Sequence, residues 1–286
     1  DARGDVGSWV RIACIESLGA VECDADTLVD MAGLLMERID TVRVKAAEVL
    51  SRMNEPWRDA IGDPSLLRDA SYAFPHLMPL LHVPTYRFSL LRSLVRTIGS
   101  RSDVALRVAG QALVQWAKQA SSDEVHDVCG MLYRQASTHA RDNRTFVPVL
   151  QTVQLLLDWD VRLDVPLLAR FVRLASHHVE KVHSVPRLLA AMRICVHASQ
   201  VPGAVPDAAV YLIPFLTHRY PTVRIHTSEQ LFLLAQELSM EYGTTEIEAA
   251  LLDTPWATAP PTDLGTVSTH IVHCIYDILA AKHRAP

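Results

Sequence analysis

Two stretches of this sequence carry side chains of the kinds that ligate metals. His270-Ile-Val-His273-Cys274 would place two imidazoles near one face of a helix, as a metal site requires, but no Glu or Cys partner at ligand spacing accompanies them, and no metal is expected. His177, His178 and His183 read as a polar loop. Cys14 and Cys195 sit among apolar helical residues and read as small core residues rather than nucleophiles. The sequence has no glycine-rich phosphate loop, no GxSxG and no HExxH. No cofactor and no catalytic residue is assigned, and the chemistry left to the chain is that of surfaces.

Two surface candidates stand out. Arg87, Arg92, Arg96, Arg101 and Arg107 form a locally basic stretch opposed only by Asp103, with Arg92 and Arg96 one helical turn apart on a common face. The plain reading is a solvated face; the sharper one is a ridge that meets an acidic protein surface. Nucleic acid is a poor target for it, because the net charge is −5 and the isoelectric point about 6.2, the wrong sign for sustained phosphate contact. The second candidate is His218-Arg219-Tyr220, where a tyrosine beside an arginine in a turn has the composition of a binding hot spot. Packing of Tyr220 beneath a neighbouring turn is the competing reading.

These residues must be positioned by helices, and one stretch shows how. Tyr211–Glu237 reads as two helices folded back on each other: an apolar run to Leu216, a turn over Thr217-His218-Arg219-Tyr220, and Pro221 opening a second helix where its missing N–H costs nothing. Val223, Thr227, Leu231, Leu234, Ala235 and Leu238 make one apolar stripe, and Ile225, Ser228 and Phe232 a second. A helix with two dry faces must be covered by its own partner and by the next pair, which predicts copies. Thr222–Leu231 aligns without gaps with Thr41–Leu50, Trp9–Leu18 and Thr85–Leu94. All four carry an Arg in the third place, an apolar residue after it and a closing Leu. Val10, Val42, Tyr86 and Val223 are separated by 32, 44 and 137 residues, the last close to three periods of the ~40–47 residues of HEAT-type repeats. The fold class is therefore all-α, an α-solenoid of about six to seven helix pairs, expected to form one continuous array over 1–286.

Within that array the repeat arginines Arg11, Arg43, Arg87 and Arg224 invite reading as a binding ladder. The preferred reading is structural: at the start of each second helix they pair with acids or carbonyls of neighbouring repeats and hold the stack in register. Glu16, Glu48 and Glu229, five residues beyond the Arg, are candidate partners.

Composition agrees with helix. Glycine numbers 11 of 286, well under the usual ~7%. Five dispersed cysteines without a CxxC point away from a disulfide framework and toward a reducing, cytosolic setting. No apolar run approaches the ~18–20 residues of a membrane span; the longest, near 208–216, is broken by Pro214. The start at Asp1-Ala-Arg-Gly-Asp, without an initiator Met, suggests a piece of a longer protein. Along the chain, Ser8 is expected to cap a helix from Trp9, with Trp9 buried against an upstream repeat. Asp26 is expected to cap a helix to Arg38, Asp40 its partner to Met53, and Pro84 to open a helix to Ile98. Helices from Ser102, from Ser121 or Ser122, from Asn143, from Asp164 and from Ser184 follow. A rigid loop over Thr254–Thr262 precedes a last helix from about Leu264 to Lys282.

Arg3-Gly-Asp-Val-Gly-Ser-Trp-Val-Arg11, Pro84-Thr-Tyr-Arg-Phe88 and, above all, Arg219-Tyr-Pro-Thr-Val-Arg-Ile-His-Thr-Ser-Glu-Gln-Leu-Phe232 resemble the C-terminal region of the tubulin-specific chaperone D, or tubulin-folding cofactor D, family. The resemblance implies a cytosolic HEAT/armadillo scaffold, with association to microtubules or centrosomes. Its implied partners are β-tubulin, the αβ-tubulin heterodimer, tubulin-folding cofactors E and C and an Arf-like small GTPase. It implies stimulation of tubulin GTP hydrolysis only as part of a complex, and brings no catalytic motif to this chain. On that reading the basic ridge meets tubulin and its acidic tails. Two other classes remain: a general HEAT adaptor without a tubulin role, and a HEAT-type DNA glycosylase, which would need a basic groove holding a carboxylate.

Overall fold

A computed structural model describes residues 6–21, 23–53, 55–100, 103–201 and 208–284. Among them every regular element is helical, α-helices joined by short 3-10 segments. The fold is all-α, as the periodicity requires. The chain forms two compact units, Asp1–Leu132 and Tyr133–Pro286.

The first unit holds α1 (Val6–Leu18), α2 (Ala25–Gly33), α3 (Asp40–Met53), α4 (Glu55–Ile61), α5 (Ala70–Leu77), α6 (Pro84–Ile98) and α7 (Asp103–Gln119); α8 (Ser122–Thr138) contains the boundary. α3 packs against α1 and the 3-10 segment Pro64–Arg68, while α6 packs against α2 and α7. The approach of α2 to α6 rests on Gly33, where an added Cβ would lie 2.5 Å from Ser89 Oγ and 2.9 Å from Ser89 O. Only a bare backbone fits there. α2 therefore stops at Gly33 and tightens into a 3-10 turn over Leu34–Met36, short of the expected end at Arg38. Its cap is also two residues earlier than expected: the Asp24 carboxylate accepts from Thr27 N at 2.8 Å. α1 begins at Val6, so Ser8 lies inside the helix, buried, rather than ahead of it. Ser102 lies outside the described residues.

The second unit holds α9 (Asn143–Asp158), α10 (Val165–Ser176), α11 (Val185–Gln200), α12 (Ile213–Leu216), α13 (Pro221–Ser239), α14 (Thr245–Asp253) and α15 (Gly265–Lys282). α11 is its centre, packed by α9, α10 and α13, and α14 joins α13 to α15. α14 and α4 have no counterpart in the sequence reading. α4, of seven residues, spans less than two turns, too few for a period of 3.6 to show, and α14 has no side-chain cap to announce it.

α13 bears out its first stripe: Val223, Thr227, Leu231, Leu234, Ala235 and Leu238 are all buried. The second is only partly dry. Ser228 is buried, but Ile225 and Phe232 are half-exposed, so one of the two faces is less covered than the alternation of apolar residues suggests.

Candidate functional site

Three of the repeat arginines occupy the fourth position of a helix, Arg43 in α3, Arg87 in α6 and Arg224 in α13, with 1%, 4% and 2% of their surface exposed. A guanidinium this deep must spend its five donors on protein acceptors. Arg43 donates from Nε to Leu67 O (2.7 Å), from Nη1 to Glu37 O (2.6 Å) and from Nη2 to Arg68 O (3.1 Å). Arg224 donates to Trp256 O (2.8 Å), His218 O (2.7 Å), Ala257 O (3.3 Å) and Ala259 O (3.2 Å). Arg87 donates to Leu81 O (2.7 Å) and His82 O (3.2 Å), and adds two acids of α8, Asp127 at 3.0 Å and Glu124 at 3.6 Å. The carbonyl six residues before the arginine recurs in all three, Glu37, Leu81 and His218. Each arginine thus ties the turn that precedes its own helix to a loop or helix further along the chain.

The glutamates five residues on take other partners. Five residues turn a helix by about 140° beyond a full revolution, which carries the carboxylate off the arginine's side. Glu16 and Glu48 both face Lys45 Nζ (3.2 and 3.0 Å), and Glu229 faces His226 Nδ1 (3.0 Å). Arg11 differs from its three equivalents: its side chain is a third exposed and lies 3.7 Å from Glu37 Oε2. A fifth arginine escaped the sequence reading. Arg187, in the first turn of α11, donates to Ala140 O (2.8 Å) and Asn143 Oδ1 (3.3 Å) and lies 4.2 Å from the centre of the Phe146 ring. Its signal was available in Ser184-Val-Pro-Arg187, a capped helix start with the arginine one place early.

The basic stretch does not form one surface. Arg87 is buried and engaged. Arg92 is half-buried and its Nη2 lies 3.0 Å from Asp30 of α2, so it belongs to the packing of α6 on α2. Arg96 and Arg107 are exposed, and Arg101 lies outside the described residues. The turn after α12 divides in the same way. His218 is 2% exposed, its Nδ1 accepting from Tyr220 N at 3.1 Å, so it presents no contact surface. Burial, with the charges of Arg219 and Arg224 adding to it, holds its imidazole below the usual range. Arg219 is exposed, donates to His183 Nδ1 at 2.8 Å and lies 4.9 Å from the centre of the half-buried Tyr220 ring. His183 is also 3.3 Å from the Tyr220 hydroxyl, so the polar loop and the turn form one cluster. The loop starts with His178 in the left-handed region, φ 52°.

His270 lies 3.8 Å from Cys274 Sγ and 3.6 Å from Glu246; among the described residues no three His, Cys, Asp or Glu side chains converge as a metal set. Cys195 and Cys129 are buried, and burial pushes both thiols up to about 12. Cys14, expected in the core, is exposed. Trp57 and Trp256 are buried, whereas Trp9 is 67% exposed. A cavity of about 680 Å³ opens between Leu157, Leu168 and Val201, beside His197 Nε2 and Asp158 Oδ1, which are 2.6 Å apart.

The arrangement offers buried clamps and exposed charge, and comparison with known families gives it a context. The family described as tubulin folding cofactor D C terminal matches residues 26–187, more than half of the chain. The chain belongs to that family. No solved structure matches it. The matched span runs from α2 into the first turn of α11 and includes Pro84–Phe88 of the sequence resemblance. The longer motif Arg219–Phe232 and the opening Arg3–Arg11 lie outside it. Within the family span fall Arg43, Arg87, Arg92 and Arg96; outside it fall Arg11, Arg224 and the 218–220 turn. Among the described residues no helix is long and apolar enough to cross a membrane.

Proposed function

We propose that this chain is a non-enzymatic scaffold of tubulin folding, a HEAT-type α-solenoid that binds β-tubulin within the αβ heterodimer and meets cofactors E and C and an Arf-like GTPase during its assembly and dismantling. The observation that carries the proposal is the family match over residues 26–187. Recurrence of the same arginine clamp at the same helical position supports the repeat architecture: each clamp fixes a turn to its successor and so keeps the repeats in register. The exposed cations best placed to meet tubulin are Arg96 on α6 and Arg219 on its turn, with Tyr220 beside the latter. Arg92 supports α6 from within through Asp30. The setting is cytoplasmic, where tubulin folds.

Any effect on GTP hydrolysis by tubulin falls to a partner that supplies the catalytic group, as an arginine finger acts in trans. Native mass spectrometry of the chain mixed with αβ-tubulin tests the binding role. A complex with tubulin, reduced by Arg96→Glu, is expected; only free species, at concentrations well above micromolar, would leave a general adaptor role instead. Single-turnover GTP hydrolysis by tubulin with this chain alone should stay at the basal rate.

A further inference from the structure

α11 is enclosed by α9, α10 and α13 and reaches solvent along one narrow stripe, Pro186, Leu189, Arg193 and His197. At Arg193 the stripe is the floor of a cavity of about 270 Å³ whose opposite walls are Gln151 of α9 and Gln230 of α13. Beneath Arg193 lie Leu189 and the fully buried Met192. The sequence reading singled out none of these residues.

Three properties of this groove point in one direction. The side chains of Gln151 and Gln230 make no hydrogen bond among the described residues, so two amides, each with an acceptor oxygen and two N–H donors, line the groove from α9 and α13. Arg193 is exposed and has neither hydrogen bond nor ion pair among the described residues, while no carboxylate lines the cavity. Two acids of the flanking helices α9 and α13 are already engaged: Asp158 by His197 (2.6 Å) and Gln154 (3.2 Å), and Glu229 by His226 (3.0 Å). Arg193 acts on Asp158 only through its charge. Helices packed side by side stand about 8–10 Å apart, so the span from α9 to α13 is crossed by about five or six residues of extended chain. A β-type backbone bears N–H and C=O groups that need partners, and glutamine amides supply both.

We infer that the α9–α11–α13 groove binds an extended acidic peptide segment, its main chain held by Gln151 and Gln230, one carboxylate paired with Arg193 and an apolar side chain resting on Leu189. The inference deepens the proposed function by naming a surface and a class of ligand, and rests on that reading only for its place in tubulin folding. Charge complementarity selects the occupant: the groove presents unspent positive charge and no acid, which disfavours basic segments.

The test uses the whole chain and a short fluorescein-labelled peptide of alternating Glu and Gly with one Phe, followed by fluorescence anisotropy, with a Lys-for-Glu peptide as counterpart and intact αβ-tubulin in a parallel titration. Saturable binding of the Glu peptide is expected, weakened by added salt, about tenfold or more weaker in Arg193→Glu and a few-fold weaker in Gln151→Ala with Gln230→Ala, and unchanged in Arg107→Glu. Arg193 and the two glutamines are on the surface, so circular dichroism should report unaltered helix in these variants. No binding of the Glu peptide, equal binding of the Lys peptide, or a Glu-peptide affinity unmoved by Arg193→Glu overturns the groove. Tubulin binding without peptide binding would overturn the groove and leave the scaffold role standing; peptide binding without tubulin binding would do the reverse.

Discussion

The helices α1 and α13 carry the same ten-residue motif, and the structure treats them differently. In α13 the stripe formed by Val223, Thr227 and Leu231 is dry, and Arg224 beside it is buried with four carbonyls around it. In α1 the equivalent Val10 is 61% exposed, Cys14 is exposed, Leu18 is half-buried, and Arg11, a third exposed, lies 3.7 Å from the Glu37 carboxylate. The motif encodes what a helix can bury; neighbouring elements decide what it does bury. α13 has α11, α12 and α14 against it, whereas α1 packs on α3.

The largest difference between the two regions is expected at the arginines. Arg224→Ala orphans four carbonyls, three of them on the loop that ends in Pro260, and should lower the unfolding free energy by about 3 kcal/mol or more. Arg11→Ala should cost less, because that side chain is a third exposed and water can replace part of what it loses. Urea unfolding of the two variants measures both, and equal losses would break the comparison. Next in size is the stripe: Leu231→Ala should cost about 2–5 kcal/mol, against about 0.5 kcal/mol or less for Val10→Ala. A smaller, kinetic contrast lies in the thiols. Ellman's reagent should modify Cys14 in the folded chain within minutes, while Cys195, buried and with its thiol pushed up to about 12, should react only on unfolding.

The smallest effect is the pH dependence carried by His218. Its folded pKa lies below the ordinary 6.5, so the unfolded chain binds the proton more readily. Its contribution to stability is complete above about pH 6.5 and is lost as pH falls through the folded value. Thermal midpoints between pH 7.5 and 5.5 should fall less in His218→Asn than in the parent chain; identical slopes would remove His218 from the account.

Much of this was legible in the sequence. The four-fold motif gave the helices, their first stripe and the arginines that matter, because periodicity and a charged residue in fixed register survive as pattern. The arginines' partners did not, since main-chain carbonyls leave no mark on residue type, and the glutamates that did leave one point away around the helix. The basic stretch misled for the same reason: Arg92 and Arg96 share a face by spacing, yet Asp30, sixty-two residues before Arg92, takes one of them into the packing of α6 on α2. His218 and Arg219 are adjacent in sequence and opposite in exposure, a difference set by how the turn enters α13. α4 was too short to show a period and α14 lacked a capping side chain, and Arg193 sits on a helix so nearly buried that its single open stripe does not stand out from the core.

The measurement that bears most directly on the scaffold role is equilibrium binding of this chain to soluble αβ-tubulin, by calorimetry at low and moderate salt, with intact tubulin and with tubulin whose acidic tails have been removed. Saturable binding that weakens with salt is predicted, with affinity falling on removal of the tails. Absence of binding to either form at both salt concentrations, with the partners well above micromolar, would contradict it.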